Sequence, residues 1–339
     1  MKEGMFYEKV EGEKVKCMLC PHQCLISPGK RGICGVRENR GGKLFSLVYG
    51  KAVSWAADPI EKKPFYHFYP GTTAFSFATV GCNLHCLNCQ NYSIAHLPKN
   101  EINIPGHNLS PEEIVILAKR EGSKSIAYTY TEPTIFYEYA YETCKIAHEE
   151  GIKNVFVTNG YILPEPLKKI APFLDGANVD LKSIKDDFYK KVCHGRLAPV
   201  LEGIRLMKEL NIWVEITTLV IPGMNDSDEE FSKIADFILK LGEEIPWHLS
   251  RFYPAYKLTQ YPPTPKETLH RARKIGLEKG LKYVYTGNVP GDEGENTFCP
   301  KCGKIVIKRY GYLIEEINIK EGRCKWCNNK IDGVGLNEV

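Results

Sequence analysis

The sequence has 339 residues, of which 43% are hydrophobic and 25% are charged, as in globular proteins with one large domain and one or two small ones. The formal net charge of +4 is small for this length, which argues against a broad nucleic-acid-binding surface. No apolar run approaches roughly eighteen residues, and the N-terminus lacks the apolar core of a signal peptide. We therefore expect a cytoplasmic protein that makes no membrane contact.

Thirteen cysteines are the most unusual feature of the composition. In a reducing compartment, cysteines in such numbers are expected to be metal ligands or reactive thiols rather than disulfides. All but Cys144 and Cys193 fall into three groups. The groups are Cys17, Cys20, Cys24 and Cys34; then Cys82, Cys86 and Cys89; and finally Cys299, Cys302, Cys324 and Cys327.

Residues 1–72 form the first predicted unit, a four-cysteine module followed by a β-rich lead-in. The first cysteine group, hereafter the N-terminal cysteines, lies within residues 17–34 among several glycines, a pattern that predicts a metal site. Zinc is the favoured ion, and a second iron–sulfur cluster is the alternative that the sequence leaves open. His22 could replace one thiolate.

Residues 73–290 form the second predicted unit, in which strand-like runs alternate with amphipathic helices. Nearly continuous apolar strands between helices predict a parallel sheet covered by helices, either an open doubly wound sheet or a partial or complete (β/α) barrel. Polar motifs follow five of the strands, and enzymes with barrels gather their chemistry at those strand ends, so the barrel is favoured. The predicted strands are 73–80, 125–130, 154–159, 176–181, 212–221, 247–253 and 282–287.

The segment GCNLHCLNCQN (81–91), hereafter the cysteine loop, carries the second group in the spacing C-x3-C-x2-C. Iron–sulfur clusters are usually held by four thiolates. Three thiolates on one tight loop can hold three corners of a [4Fe-4S] cluster and leave the fourth iron open to a ligand that is not protein. The alternative is a zinc or ferredoxin-like site that uses a distant fourth cysteine.

The spacing of the cysteine loop, directly after a strand, resembles the signature of radical S-adenosylmethionine (SAM) enzymes. In that family the open iron binds the amino and carboxylate groups of SAM, and reductive cleavage of SAM gives a radical that abstracts hydrogen from a substrate. Three motifs resemble those of the pyruvate formate-lyase activating enzyme branch: TYTEPT (129–134), TNG (158–160) and DLK (180–182). In that branch a Gly-Gly-Glu-Pro turn occupies the position of TYTEPT. The resemblance implies SAM contacts from Glu132, Asn159, Asp180 and Lys182.

Motifs along essentially the whole chain resemble the radical SAM enzymes of the AmmeMemoRadiSam system. They include DPIEKKPFYHFYPGT, HLSRFYP and YVYTGNVPG. The resemblance implies an electron donor such as ferredoxin or flavodoxin, and it leaves the substrate open. A glycyl radical on a partner protein, a small molecule and a modified macromolecule are the alternatives, and a Memo-type protein is a further candidate partner.

Residues 291–339 form the third predicted unit. Its two Cys-x2-Cys pairs, hereafter the C-terminal cysteines, have the spacing of a zinc ribbon, and a module this small depends on its metal for folding. Zinc is favoured, rubredoxin-type iron fits the same geometry, and a few lysines do not indicate nucleic-acid binding.

No acid–base pair or nucleophile stands out, so the sequence predicts no catalytic side chain, and a bound cofactor would carry the chemistry. Cys193 could relay a radical or simply fill the core, and His248 could face the site or the core. The overall prediction is an oxidoreductase-like radical SAM enzyme. A non-catalytic electron carrier or metal-dependent adaptor is the alternative.

Overall fold

The computed structural model describes residues 1–97 and 103–338, and an eight-stranded sheet lies at its centre. The strands follow one another across the sheet in chain order. Strands β2 to β8 are parallel, and β1 pairs antiparallel with β2 at one edge. They are β1 Ser54–Pro59, β2 Thr73–Ala78, β3 Ser125–Tyr128, β4 Lys153–Thr158, β5 Gly176–Asp180, β6 Trp213–Val220, β7 Trp247–Arg251 and β8 Val284–Gly287.

The seven parallel strands confirm the predicted parallel sheet: six lie within the predicted apolar runs, and β4 begins one residue before its run. They read as apolar runs because both faces are covered: all four residues of β3 are buried, for example. Within the described residues no pairing joins β8 to β1, so the barrel is open along one side. Strand β1 comes from the predicted lead-in, and the three consecutive exposed residues at its centre suit an edge strand.

Eight helices in the described chain connect or flank the strands. Ser110 and Glu113 form a capping box at the start of α2, and the Ser227 hydroxyl caps α7 in a similar way. In both cases a serine precedes acidic residues of the first turn, a pattern that marks a helix start in a sequence. The helices are α1 Tyr92–Ala95, α2 Pro111–Arg120, α3 Tyr137–Glu149, α4 Pro164–Ile170, α5 Asp186–Phe188, α6 Leu197–Glu209, α7 Asp228–Leu241 and α8 Lys266–Glu278.

Several single turns complete the helical structure. After α5 the chain continues through a π-helical turn, Tyr189–Cys193. This turn ends at His194, which has a left-handed φ of 57°. The 3-10 turns are Ile60–Lys62, Pro133–Phe136, Ala171–Phe173 and Glu293–Glu295.

The N-terminal residues form small antiparallel sheets that pack on α3. Both terminal nitrogens of Arg37 donate to the Glu138 carboxylate at 2.8 Å, and both side chains are buried. This ion pair ties the module to the helix. The first sheet is Lys2–Glu3, Lys43–Ser46 and Arg37–Arg40; the second is Tyr7–Val10, Lys14–Cys17 and Leu25–Ile26; and Lys51–Ala52 pairs with His107–Asn108.

The C-terminal residues pack against the N-terminal ends of the barrel strands. Arg309 donates through Nη2 to the carbonyl of Tyr66 at 2.9 Å. Nearby, Oε2 of the buried Glu215 lies 2.7 Å from Nε2 of His248, so that histidine is a hydrogen-bonded core residue at the opposite end of the sheet from the polar motifs. The strands are Thr297–Phe298, Ile305–Tyr310 and Leu313–Ile317 in one sheet, and Ile319–Lys320 and Arg323–Cys324 in another.

Among residues 1–97 and 103–338, no helix is both long enough and apolar enough to span a bilayer.

Candidate functional site

A cavity of about 320 Å³ opens where the parallel strands end, at the carboxyl edge of the sheet. Six of the seven side chains that the sequence predicted to bind cofactors line this cavity, although they come from three separate segments. The exception is Glu132. The six are Cys82, Cys86, Cys89, Asn159, Asp180 and Lys182.

The cysteine loop follows β2 and is held by its backbone. The amide of His85 donates to the carbonyl of Cys193 at 3.0 Å, and Leu87 donates to Val192 at 2.9 Å, so the π-helical turn after α5 braces the loop. Its three sulfurs do not all lie within 4.8 Å of one another. A cubane cluster separates its thiolate ligands more widely than a single metal ion does, so this spacing suits a cluster.

The thiols of the cysteine loop lie in a low-dielectric setting. Burial raises the pKa of Cys82 well above its usual value and that of Cys89 to about 11. A hydrogen bond with Cys193, which lies behind the cavity wall, lowers the pKa of Cys86. Metal binding would have to supply the free energy of deprotonation for the two raised thiols.

Glu132 is completely buried and is not among the residues that line the cavity. Its carboxylate accepts hydrogen bonds from the Thr134 amide at 3.0 Å, the Thr158 hydroxyl at 2.8 Å and the Asn159 amide at 2.8 Å. Burial raises its pKa, while these donors act in the opposite direction. In this structure Glu132 therefore positions the TNG segment through both of its carboxylate oxygens.

Asn159 connects the TNG segment to the cysteine loop. Its Nδ2 donates to Oδ1 of Asn83 at 2.8 Å and lies 3.8 Å from the sulfur of Cys82. Its Oδ1 accepts from the Tyr161 amide at 2.9 Å. Neither Asn83 nor this bridge was anticipated from the sequence, because only the fold places residues 83 and 159 side by side.

The turn at Tyr130 has a left-handed backbone, with a φ of 62°. The related branch has glycine in this turn, and glycine adopts such a φ without strain. Here the tyrosine is anchored instead: its hydroxyl donates to Oδ2 of Asp58 at 2.7 Å, and Lys63 Nζ donates to the same oxygen at 2.8 Å. Burial opposes ionisation of Asp58, but hydrogen bonds from Lys62, Lys63 and Tyr130 hold its pKa well below the ordinary value.

The Asp58→Asn variant is expected to destabilise the protein by about 3 kcal/mol, because it leaves the ammonium of Lys63 buried without a charged partner. Lys63 has a side chain that is only 2% exposed. The free energy of unfolding from urea titration measures the loss. The Asp58→Asn/Lys63→Met double variant should recover most of it, and a single-variant loss below about 0.5 kcal/mol would contradict the prediction.

Asp180 and Lys182 meet at the end of β5. Lys182 Nζ lies 2.8 Å from Oδ2 of Asp180, and both side chains line the cavity. Burial disfavours the Lys182 cation, but the nearby Asp180 and Cys86 raise its pKa well above the usual value. The cavity therefore presents a fixed ammonium and a carboxylate beside the three thiols.

The C-terminal cysteines form a compact cluster, with all four sulfurs within 4.8 Å of one another. The sulfurs of Cys299 and Cys327 are 3.5 Å apart, and those of Cys302 and Cys324 are 3.7 Å apart. Tetrahedral metal–thiolate bonds of about 2.3 Å would place sulfurs about 3.8 Å apart. The donor set and its spacing fit one tetrahedral metal ion.

Comparisons with known proteins agree with this geometry. The family model described as "Radical SAM superfamily" matches residues 77–238. An uncharacterized protein of Methanocaldococcus jannaschii is 52% identical over 335 residues, which is 98% of this chain and 99% of that protein. A "Probable GTP 3′,8-cyclase" of Thermococcus kodakarensis is 31% identical over 257 residues, which is 69% of this chain and 80% of that protein.

More distant matches point the same way. The 4-hydroxyphenylacetate decarboxylase activating enzyme of Clostridium scatologenes is 22% identical over 227 residues, covering 60% of this chain and 72% of that protein. The crystal structure of a radical SAM methyltransferase from Sphaerobacter thermophilus matches with a TM-score of 0.50 and 19% identity, over 67% of this chain and 71% of that one, which shows a shared fold. The chain belongs to the radical SAM superfamily, and iron–sulfur and SAM binding follow from that membership.

Proposed function

We propose that this protein is an enzyme that cleaves SAM reductively and abstracts hydrogen from a substrate. The proposal rests on one observation: the thiols of Cys82, Cys86 and Cys89 line the same cavity as Asn159, Asp180 and Lys182. No fourth cysteine lines that cavity in the described chain. When bound, a [4Fe-4S] cluster with SAM supplies one-electron cleavage of the sulfonium and a carbon radical.

The chain's own residues would hold and orient these groups. Cys82, Cys86 and Cys89 would ligate the cluster, and Asp180 and Lys182 would bind the polar groups of SAM. Opposite charges at this short range suit a zwitterionic amino acid group.

The turn at Tyr130 and Thr131 would offer its backbone to the SAM amino group. Asn159 would line the same site, fixed by Glu132 from behind. In this proposal Glu132 is a positioning residue rather than the direct SAM contact that the sequence predicted.

Three further sequence predictions enter the proposal, namely the unit boundaries, the C-terminal metal and the class of electron donor. We propose three units, 1–72, 73–290 and 291–339, with zinc in the last and a low-potential donor such as ferredoxin or flavodoxin as the partner. Superfamily members require a reductant, which supports the partner class. The subgroup resemblance to the AmmeMemoRadiSam system also remains a proposal.

For the substrate we propose a partner protein, in which a glycyl radical is formed. One relative is named as an activating enzyme of a decarboxylase, so it acts on another protein. The cavity of about 320 Å³ is also at the lower end of the range for small-molecule sites. SAM would fill much of it, leaving the substrate to approach at the mouth.

The proposed activity is tested by reconstituting the cluster anaerobically, reducing it with dithionite and measuring 5′-deoxyadenosine formed from SAM. Formation of 5′-deoxyadenosine would exclude a non-catalytic electron carrier. With an intact cluster and no SAM cleavage, the enzyme proposal fails. Partner proteins that acquire a glycyl-radical EPR signal only with SAM would identify the substrate class.

The Glu132→Gln variant is expected to raise the KM for SAM about tenfold, because the amide NH2 cannot accept the hydrogen bond from the Asn159 backbone. The cluster should be retained, since Glu132 does not contact the cysteine sulfurs. Iron content and the KM for SAM measure the two effects separately. Unchanged SAM kinetics would remove Glu132 from the positioning role, and Glu165→Gln, at an exposed position on α4, is the matched control.

A further inference from the structure

We infer that the N-terminal cysteines bind a second [4Fe-4S] cluster, next to the first, and not the zinc ion that the sequence favoured. The four residues line a single buried cavity whose other walls are mostly apolar, including Leu19, Ile26 and Ile135. The inference departs from the sequence interpretation because three features of the structure distinguish the two kinds of site.

The first feature is the separation of the sulfurs. Across residues 1–97 and 103–338, the C-terminal cysteines are the one set of three or more side-chain ligand atoms that all lie within 4.8 Å of one another. No three of the N-terminal sulfurs do, although they surround one cavity. A single tetrahedral ion needs its thiolates about 3.8 Å apart, whereas the four iron corners of a cubane hold them farther apart. The N-terminal set, like the cysteine loop, thus lacks the compact arrangement that a single tetrahedral ion needs.

The second feature is an unsatisfied donor. Arg37 lines the cavity and is 2% exposed. Its terminal nitrogens are bound to Glu138, but its buried Nε has no hydrogen-bond partner among the described residues. A buried donor without a partner is costly, so its presence points to an acceptor in the cavity. The inorganic sulfides and thiolates of a cluster are such acceptors.

A backbone donor also lies at this cavity. The Ile33 amide donates to the sulfur of Cys24 at 3.5 Å. Hydrogen bonds to the sulfurs are one of the means by which proteins set the potential of iron–sulfur clusters.

The third feature is contact with the cysteine loop. Gly81, which precedes Cys82, has a φ of 99°, and a Cβ there would lie 2.9 Å from the carbonyl oxygen of Cys34. Standard bond lengths then place the Cα atoms of Cys34 and Cys82 no more than about 11 Å apart. On the other side, His22 Nε2 lies 2.8 Å from the carbonyl oxygen of Asn83. Ligand loops of the two sites are thus in direct backbone contact.

This position assigns the N-terminal site to electron entry, an inference that rests on the proposed SAM cleavage. One electron would come from a low-potential one-electron donor protein, would reside at the N-terminal site, and would pass to the site of the cysteine loop. The donor is oxidised by one electron and the cysteine-loop site is reduced by one electron, with no atom transferred. A zinc ion could not take part, because it has no accessible redox state.

Metal analysis of the anaerobically reconstituted full chain tests the assignment. We expect about eight iron atoms and about one zinc ion per chain. The Cys82→Ala/Cys86→Ala/Cys89→Ala variant should keep about four iron atoms and give the EPR spectrum of a reduced [4Fe-4S] cluster. About four iron atoms with about two zinc ions in the wild type would overturn the inference, and this measurement needs no variant to fold.

The electron-entry role has its own readout. In a Cys20→Ser variant we expect the ratio of SAM cleavage driven by reduced flavodoxin to that driven by dithionite to fall at least about tenfold. An unchanged ratio would overturn the role. Failure of the wild type to cleave SAM with either reductant would instead overturn the proposed function, while the iron count would still decide which metal the N-terminal cysteines bind.

Discussion

Replacing Cys82 with alanine is expected to lower reductive SAM cleavage on the order of 1000-fold or more, because two thiolates do not retain a cubane cluster. The hydrogen-bond partners of the Cys82 sulfur among the described side chains are the amides of Asn159 and Asn83, which are poor substitutes for a thiolate. The rate of 5′-deoxyadenosine formation under dithionite measures the effect. Iron and sulfide content should fall by about one cluster per chain.

Two other cysteines provide matched controls for this result. Cys144 is buried on α3 and is absent from the cavity wall, so Cys144→Ala should leave SAM cleavage within about twofold of the wild type. Cys193 is more informative, because its thiol contacts that of Cys86. If three thiolates hold the cluster, Cys193→Ala retains it. Loss of the cluster in Cys193→Ala would make Cys193 a fourth ligand and would remove the open iron on which the proposed activity depends.

Removing the metal from the C-terminal cysteines is expected to unfold residues 297–338 and lower the melting temperature by about 10 °C or more. The hydrophobic cluster of this region is small, and two of its buried members, Cys299 and Cys324, are themselves predicted metal ligands. The damage should spread to the barrel, because Arg309 anchors the region to Tyr66 next to the buried Glu215.

The Cys324→Ala variant checks this prediction by zinc analysis, thermal unfolding and hydrogen exchange of residues 297–338. Lys301→Ala, at an exposed position of the same module, is the matched control and should behave like the wild type. Hydrogen-exchange protection that persists in metal-free Cys324→Ala would show that packing against the barrel, and not the metal, holds the module together.

Part of the fold could be read from the sequence because the relevant forces are local. Strand β3 is apolar throughout since both of its faces are covered, and the Ser110 capping box lies within a few residues of the helix that it starts. Strand β1 was not assigned to the sheet. Three of its six residues are exposed, so the strand lacks the continuous run of apolar residues by which the other strands were predicted.

The candidate site shows the same division. The spacing of the cysteine loop was sufficient to predict an incomplete ligand set, because three ligands on one loop are close in sequence as well as in space. The role of Glu132 was not predictable from its motif. Its contacts, Thr158 and Asn159, come from the next strand, and only the pairing of β3 with β4 brings them to it.

By itself, then, the sequence determined where most of the strands run, and it predicted which residues could bind metals and which edge of the sheet would carry the chemistry, since each of these depends on neighbours along the chain. Tertiary structure alone decided the separations between sulfurs, the unpaired Nε of Arg37 and the contact of Gly81 with Cys34. The setting of Arg37 and the contact of Gly81 with Cys34 join segments about fifty or more residues apart in the chain. All three features are set by packing and leave no local pattern.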